Sequence, residues 1–156
     1  MPDMRNALRG AGFPDRQPEG SRGGGPPGVF APGYPEYLDK DGHTRVDLIT
    51  STAEAIAARF ESDRLKRHQL RSFYDHAKRQ LRRLEYGAPF GAVHAEIARL
   101  KAFAADRAAR SDNAVPQSFK RFIDLNVDAV KDEASFKKGF MPHFEAVVAY
   151  CARIRD

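Results

Sequence analysis

The sequence predicts an all-α protein, a single bundle of about five helices behind a flexible Gly/Pro-rich N-terminal segment. Two observations carry that expectation. From Thr50 onward apolar residues recur three and four apart, with no sustained alternation of β-branched residues that would mark a strand. Residues 1–45, by contrast, hold nine of the twelve glycines and seven of the ten prolines, so helix and central strand are both disfavoured there. At 156 residues the chain supports one domain with a core and is too short for two. The division expected is a mostly flexible tail over 1–45 and a helical bundle over 46–156.

Within the first segment, Ser21-Arg22-Gly23-Gly24-Gly25-Pro26-Pro27-Gly28 is the least structured run, and flexibility is expected to about Gly33. Tyr34, Tyr37 and Leu38 give the following stretch apolar grip, so Tyr34 to Leu48 is expected to lie extended on the bundle, turning at Lys40-Asp41-Gly42. The first helix starts at Thr50 or Ser51, where Ser51 and Glu54 have capping-box spacing, and ends near Ser62 with Ala53, Ile56, Ala57 and Phe60 inward. A second helix, about Arg64 to Tyr86, places Leu70, Phe73, Tyr74, Ala77, Leu81 and Leu84 on one face, and Gly87 stops it. The third, about Pro89 to Arg110, turns Phe90, Val93, Ile97, Leu100 and Ala104 inward, and Ser111-Asp112-Asn113 breaks it. The fourth, about Pro116 to Val130, buries Phe119, Phe122, Ile123, Val127 and Val130.

The last helix, capped near Asp132 and running to about Ile154, has the densest apolar stripe. Phe136, Phe140, Phe144, Val147, Cys151 and Ile154 fall within an arc of about 80° on a helical wheel. Pro142 is expected to kink it.

Catalytic parts are not found. No two of the histidines His43, His68, His76, His94 and His143 have the i, i+4 spacing of a helical zinc site, and each reads as a surface residue. Gly23-Gly24-Gly25 is followed by prolines rather than by a Lys-Ser/Thr and a helix, so it is no phosphate loop. There is no nucleophile elbow and no paired-carboxylate pattern. The expectation is a non-enzymatic chain with no metal, no cofactor and no small-molecule substrate. No run of 18 apolar residues exists, and the N-terminal arginines precede no apolar stretch, so neither a membrane span nor a secretory signal is expected. Cys151 has no partner for an internal disulfide, which fits a cytoplasmic protein.

Charge is more informative. The net charge is +5, and residues 1–45 are balanced at six against six, which leaves 20 of the 26 basic and 15 of the 21 acidic residues to 46–156. On the second helix Arg67, Arg71, Lys78 and Arg82 fall within about 60° of one another, immediately beside the apolar arc, and Arg64 lands on the same stripe. Lys66, Arg79 and Arg83 add charge outside that stripe, and within Arg64–Arg83 only Asp75 opposes it. A stripe about 23 Å long could follow several phosphates. Like-sign clustering weakens an isolated helix, which argues for a partner. Lys120-Arg121 and Lys137-Lys138 sit near helix starts, where the dipole gives cations no benefit. With no sheet-platform aromatic signature, any nucleic-acid contact should be to backbone and sequence-blind. These residues leave open an RNA-backbone binder, a protein–protein adaptor meeting an acidic partner, and a helical nucleic-acid-binding regulator.

Three stretches narrow the choice. His68-Gln69-Leu70-Arg71-Ser72-Phe73-Tyr74, Leu100-Lys101-Ala102-Phe103-Ala104-Ala105-Asp106-Arg107, and Phe144-Glu145-Ala146-Val147-Val148-Ala149-Tyr150 occur in this order. Together they resemble the small subunit of type III-A (Csm) CRISPR effector complexes, over about residues 37 to 152. Phe103 stands where that family usually has tyrosine, and Asp106 where it usually has glycine. The resemblance implies a non-catalytic helical subunit, present in several copies, that stacks in a ribonucleoprotein filament. It would help hold guide RNA and target RNA beside other Csm subunits. The candidate RNA contacts are then Lys66, Arg67, Arg71, Lys78, Arg79, Arg82, Arg83, Arg107, Lys120 and Arg121.

Overall fold

The computed structural model describes residues 28–156, so the flexibility expected of the Gly/Pro-rich segment lies, up to residue 27, outside the described residues. The all-α expectation holds. A one-turn helix α1 (Val46–Ile49) leads into α2 (Ser51–Ser62), α3 (Arg67–Glu85), α4 (Phe90–Ala108) and α5 (Gln117–Asp128). The last helix opens in a π-helical stretch, Ser135–Phe140, which runs directly into α6 (Met141–Tyr150). No strand occurs among the described residues; Leu38 and Thr44 form an isolated antiparallel bridge. In the packing, α4 lies on α5, α2 on α6, and α3 sits between α4 and α6.

The core is an aromatic cluster. Phe60, Phe119, Phe122, Phe136, Phe140 and Phe144 are all essentially buried. Phe122 meets Phe60 and Phe144 edge-to-face at centroid separations of 5.4 Å each, and Phe73 meets Phe119 at 5.0 Å. These geometries set the negative ring faces against positive edges. The whole predicted stripe from Phe136 to Ile154 is buried.

Several local expectations change. Thr50 does not cap α2 with its side chain, because its hydroxyl donates back to the Val46 carbonyl at 2.7 Å, closing the extra turn α1. Asp132 does cap the last helix, accepting from the Ser135 N–H at 2.8 Å. That backbone donor holds the Asp132 carboxyl below its ordinary range. In place of the kink expected at Pro142, the helix has its π-helical stretch, which ends at Phe140, two residues before the proline. Pro142 has no N–H to give to the Lys138 carbonyl four residues earlier. Thr44 supplies the missing donor instead, its hydroxyl lying 2.6 Å from that carbonyl.

Thr44 belongs to the Tyr34–Arg45 strap, which turns at Lys40-Asp41-Gly42 as expected. Tyr37 is buried with its ring on Gly139, so that a β-carbon at 139 would overlap the ring. Its hydroxyl donates to Asn126 Oδ1 at 2.8 Å. Asn126 Nδ2 donates to the Phe122 carbonyl and to Tyr34 Oη, both at 2.8 Å. Tyr34 Oη lies 2.7 Å from His143 Nε2, and His143 Nδ1 meets the Leu48 carbonyl. A carbonyl only accepts, so Nδ1 carries the proton and Nε2 accepts from Tyr34. Every donor and acceptor in this chain of contacts is then satisfied by a neutral imidazole. His143, read from sequence as a surface residue, is fully buried. The surface reading fails because a histidine two residues from an exposed carboxylate gives no sign of the core aromatic beside it.

Two outcomes follow. Gly139→Ala should destabilise the chain by about 2 kcal/mol in urea unfolding, although alanine is the better helix former, because the Tyr37 ring must move. Burial lowers the His143 pKa to about 4 from an ordinary 6.5, against the opposing effects of the Leu48 carbonyl and the Asp47 charge. The unfolded chain therefore takes up a proton first as pH falls. Stability from this group is complete above pH 6.5 and declines toward pH 4, by about 2 kcal/mol at pH 4.5. Unfolding midpoints equal at pH 7 and pH 4.5 would contradict this.

Candidate nucleic-acid interface

The second predicted helix starts three residues later than its periodicity indicated, at Arg67. Residues 60–65 close α2 instead. Leu65 N–H bonds to the Phe60 carbonyl at 3.0 Å and Arg64 N–H to the Glu61 carbonyl at 3.1 Å, the paired bonds of a Schellman ending. Arg64 occupies the left-handed position of that motif, at φ 66°. It is therefore not on the α3 stripe. Gly87 holds the same position at the end of α3, at φ 103° with the same two bonds. A β-carbon in that conformation costs about 1 kcal/mol, so arginine is the unusual choice.

On α3 the buried residues are Gln69, Leu70, Phe73, Tyr74, Ala77, Gln80 and Leu84. Two glutamines thus extend the inward arc toward α4, while Leu81 is only half-buried. Gln69 earns its place at the start of the helix: Oε1 accepts from the Lys66 N–H at 3.0 Å and Nε2 donates to the Asn113 carbonyl at 2.6 Å. Turning this arc inward fixes the opposite face in solvent, with Arg67, Arg71, Arg79, Arg82 and Arg83 exposed and Lys66 and Lys78 half-buried.

The cations divide between the two edges of that face. Toward α6, Arg67 and Arg71 line a groove with Leu70, Val148 and Ala149. Farther along this edge Lys78 Nζ lies 3.8 Å from a Glu145 carboxylate that also accepts from Tyr74 Oη at 3.1 Å. Toward α4, Arg79 shares a second groove with Ser72, His76, Phe103 and Arg107. The Arg107 guanidinium stands 6.0 Å from the centre of the Phe73 ring, at the outer limit of a cation–π contact. This groove brings the Phe73 and Phe103 stretches together. Arg83 donates to Gln80 Oε1 at 2.7 Å, whereas Arg67, Arg71, Arg79 and Arg82 form no salt bridge among the described residues. Lys120 and Arg121 stand apart on α5. Lys120 is paired with Asp124 at 2.7 Å, and neither residue lines these grooves.

Sequence reasoning missed the cations of the closing turn. Arg153 and Arg155 line a pocket with Arg64 and Lys66 at the start of α3. An isolated Arg-Ile-Arg is a weak signal, and only the fold brings it to α3.

Among the described residues no group of three or more His, Cys, Asp or Glu side chains is placed to hold a metal ion. Burial pushes the Cys151 thiol up to about 12, which leaves it protonated. No helix among them is long and apolar enough to cross a membrane.

Fold and surface define a class, the small helical bundle with one cationic helix face bordered by two grooves. The particular family is Csm2 Type III-A, whose family model matches residues 43–154, and the chain belongs to it. It is accordingly a small subunit of a type III-A CRISPR effector complex, acting with other Csm subunits. Comparisons with curated proteins and with solved structures return no match. The matched span takes in Thr44 and every helix among the described residues, while Tyr34 and Tyr37 lie before it.

Proposed function

We propose that this subunit is non-catalytic and holds guide and target RNA by their phosphates on the exposed face of α3, without reading sequence, while assembling with other Csm subunits including copies of itself. The observation that carries this reading is the state of the α3 guanidiniums. Among the described residues Arg67, Arg71, Arg79 and Arg82 form no salt bridge with a carboxylate, although 15 acidic residues were available in 46–156. Unpaired arginines concentrated on one helix repel one another, and an incoming row of phosphates removes that repulsion while releasing counterions. Arginine also fits phosphate with two parallel N–H donors. Arg107 and Arg79 border the α4 groove and extend the same surface. Lys120 and Arg121, on α5, would serve a different contact.

The expected result is that reversing charge at Arg67, Arg71, Lys78 and Arg82 together weakens RNA binding by the purified effector complex. The slope of log affinity against log salt should become shallower by about 3, since each lost phosphate contact removes roughly 0.7–0.9. Unchanged affinity and slope would remove α3 as the RNA surface. Intact complex assembly beside lost RNA binding would separate this reading from that of a protein adaptor.

A further inference from the structure

We propose that the pocket between the start of α3 and the closing turn is a second phosphate-holding site, formed by Arg64, Lys66, Arg153 and Arg155, which carries the RNA backbone past the end of the α3 face. It rests on the reading of α3 given above and adds residues and direction to it. The pocket is a solvent-open depression of about 360 Å³, bounded by those four cations together with Glu61, Leu65, Ile154 and Asp156. It adjoins the groove of Arg67 and Arg71 in the chain: Cys151 and Ala152 border that groove and Arg153 to Asp156 border the pocket, while Lys66 of the pocket directly precedes Arg67 of the groove. An anionic strand leaving Arg71 and Arg67 toward the start of α3 therefore meets Lys66, Arg64, Arg153 and Arg155 next.

Two features of the pocket fit phosphate in particular. The first is Arg64, which holds a backbone position that α3 itself fills with Gly87. No ion pair or hydrogen bond of its side chain offsets that unfavourable conformation within the described residues. A partner outside the chain supplies a reason for arginine there. The second is that an oxyanion already sits at the edge of the pocket. The Asp156 carboxylate accepts from His68 N–H at 2.7 Å and lies 3.0 Å from His68 Nδ1, and its side chain is exposed to solvent. A phosphate arriving at the same edge competes with it. Glu61 is the remaining acid, and its 3.8 Å approach to an Arg153 side chain that is 82% exposed is a weak surface pair that an RNA phosphate can replace.

The test uses the full-length chain and a labelled single-stranded RNA, with a salt series by fluorescence anisotropy and thermal melting of each variant. Arg153→Glu/Arg155→Glu should lower affinity about tenfold and make the salt slope shallower by about 1 to 2, with the melting temperature little changed. Arg64→Gly should raise the melting temperature, since glycine suits the left-handed position, while lowering RNA affinity. A purely structural role for Arg64 would not produce that opposition. Asp156→Asn should tighten binding more than Asp128→Asn, which makes the same charge change at the end of α5.

If the four-site α3 variant loses binding but the pocket variants do not, this proposal falls and the α3 reading stands. If neither set changes binding, both fall. Pocket variants that bind RNA normally but fail to enter the effector complex would assign the pocket to a protein neighbour and overturn it equally.

Discussion

One missing hydrogen-bond donor organises the described fold. A helix as apolar as the closing one would run uninterrupted from Asp132 if its sequence allowed, but Pro142 leaves the Lys138 carbonyl without an internal partner. Thr44 fills that vacancy from outside the helix. The fill works only if the strap approaches closely, and Gly139 makes room by leaving its surface bare to Tyr37. Once Tyr37 is seated, its hydroxyl reaches Asn126, and Asn126, Tyr34 and His143 complete a buried set of satisfied polar groups. Satisfied networks of this kind fix a single arrangement of the elements they join, since any other leaves a buried donor or acceptor unmade. Here they join the strap, α5, α6 and the end of α1.

That fixed core determines what α3 can expose. Phe73 and Tyr74 are gripped by Phe119 and Phe144, so the helix cannot rotate to hide its cations. Seven arginines and lysines on α3 and its cap, opposed by Asp75 and Glu85 alone, would weaken a free helix of this sequence. The aromatic contacts more than offset the repulsion, since each buried ring contributes a few kcal/mol against tenths for each like-charge pair. Stability and charge are therefore carried by opposite faces of the same helix.

The sequence disclosed elements where periodicity was strong. The inward sets on α2, α5 and the closing stripe, and on α4 all but the half-buried Phe90, are as their spacing indicates, because burial of large apolar residues leaves a 3.6-residue imprint. What escaped were features without periodic imprint. The π-helical stretch depends on a threonine 94 residues away in sequence, and Gln69 and Gln80 are buried although polar residues are ordinarily placed outside. Arg64 was drawn onto the α3 stripe by its angle on the wheel, but a Schellman ending intervened without the glycine that normally announces it. Of the candidate contacts, those on α3 were legible as a stripe. The approach of Arg107 to Phe73, and of Arg153 and Arg155 to Arg64, required the fold. Gly139 was the one overlooked hint, a glycine inside an apolar helical stripe being a mark of close approach.

A single copy of this surface cannot be a strong RNA binder, and that limit bears on why it is built into an assembly. Backbone contacts that ignore sequence give dissociation constants of roughly 10⁻⁴–10⁻⁶ M at physiological salt even when several phosphates are engaged. The described face offers about four unpaired guanidiniums along one helix, with no aromatic platform to add base stacking. Strengthening it within one chain would require more like charge on α3, and hence more repulsion to be held down by the same core. Repetition avoids that conflict. When a second surface meets the same RNA strand its binding becomes intramolecular, and affinity rises by orders of magnitude without any new cation on either helix. A modest, sequence-blind face on a rigid bundle is thus the form that suits a small subunit acting beside others on one RNA.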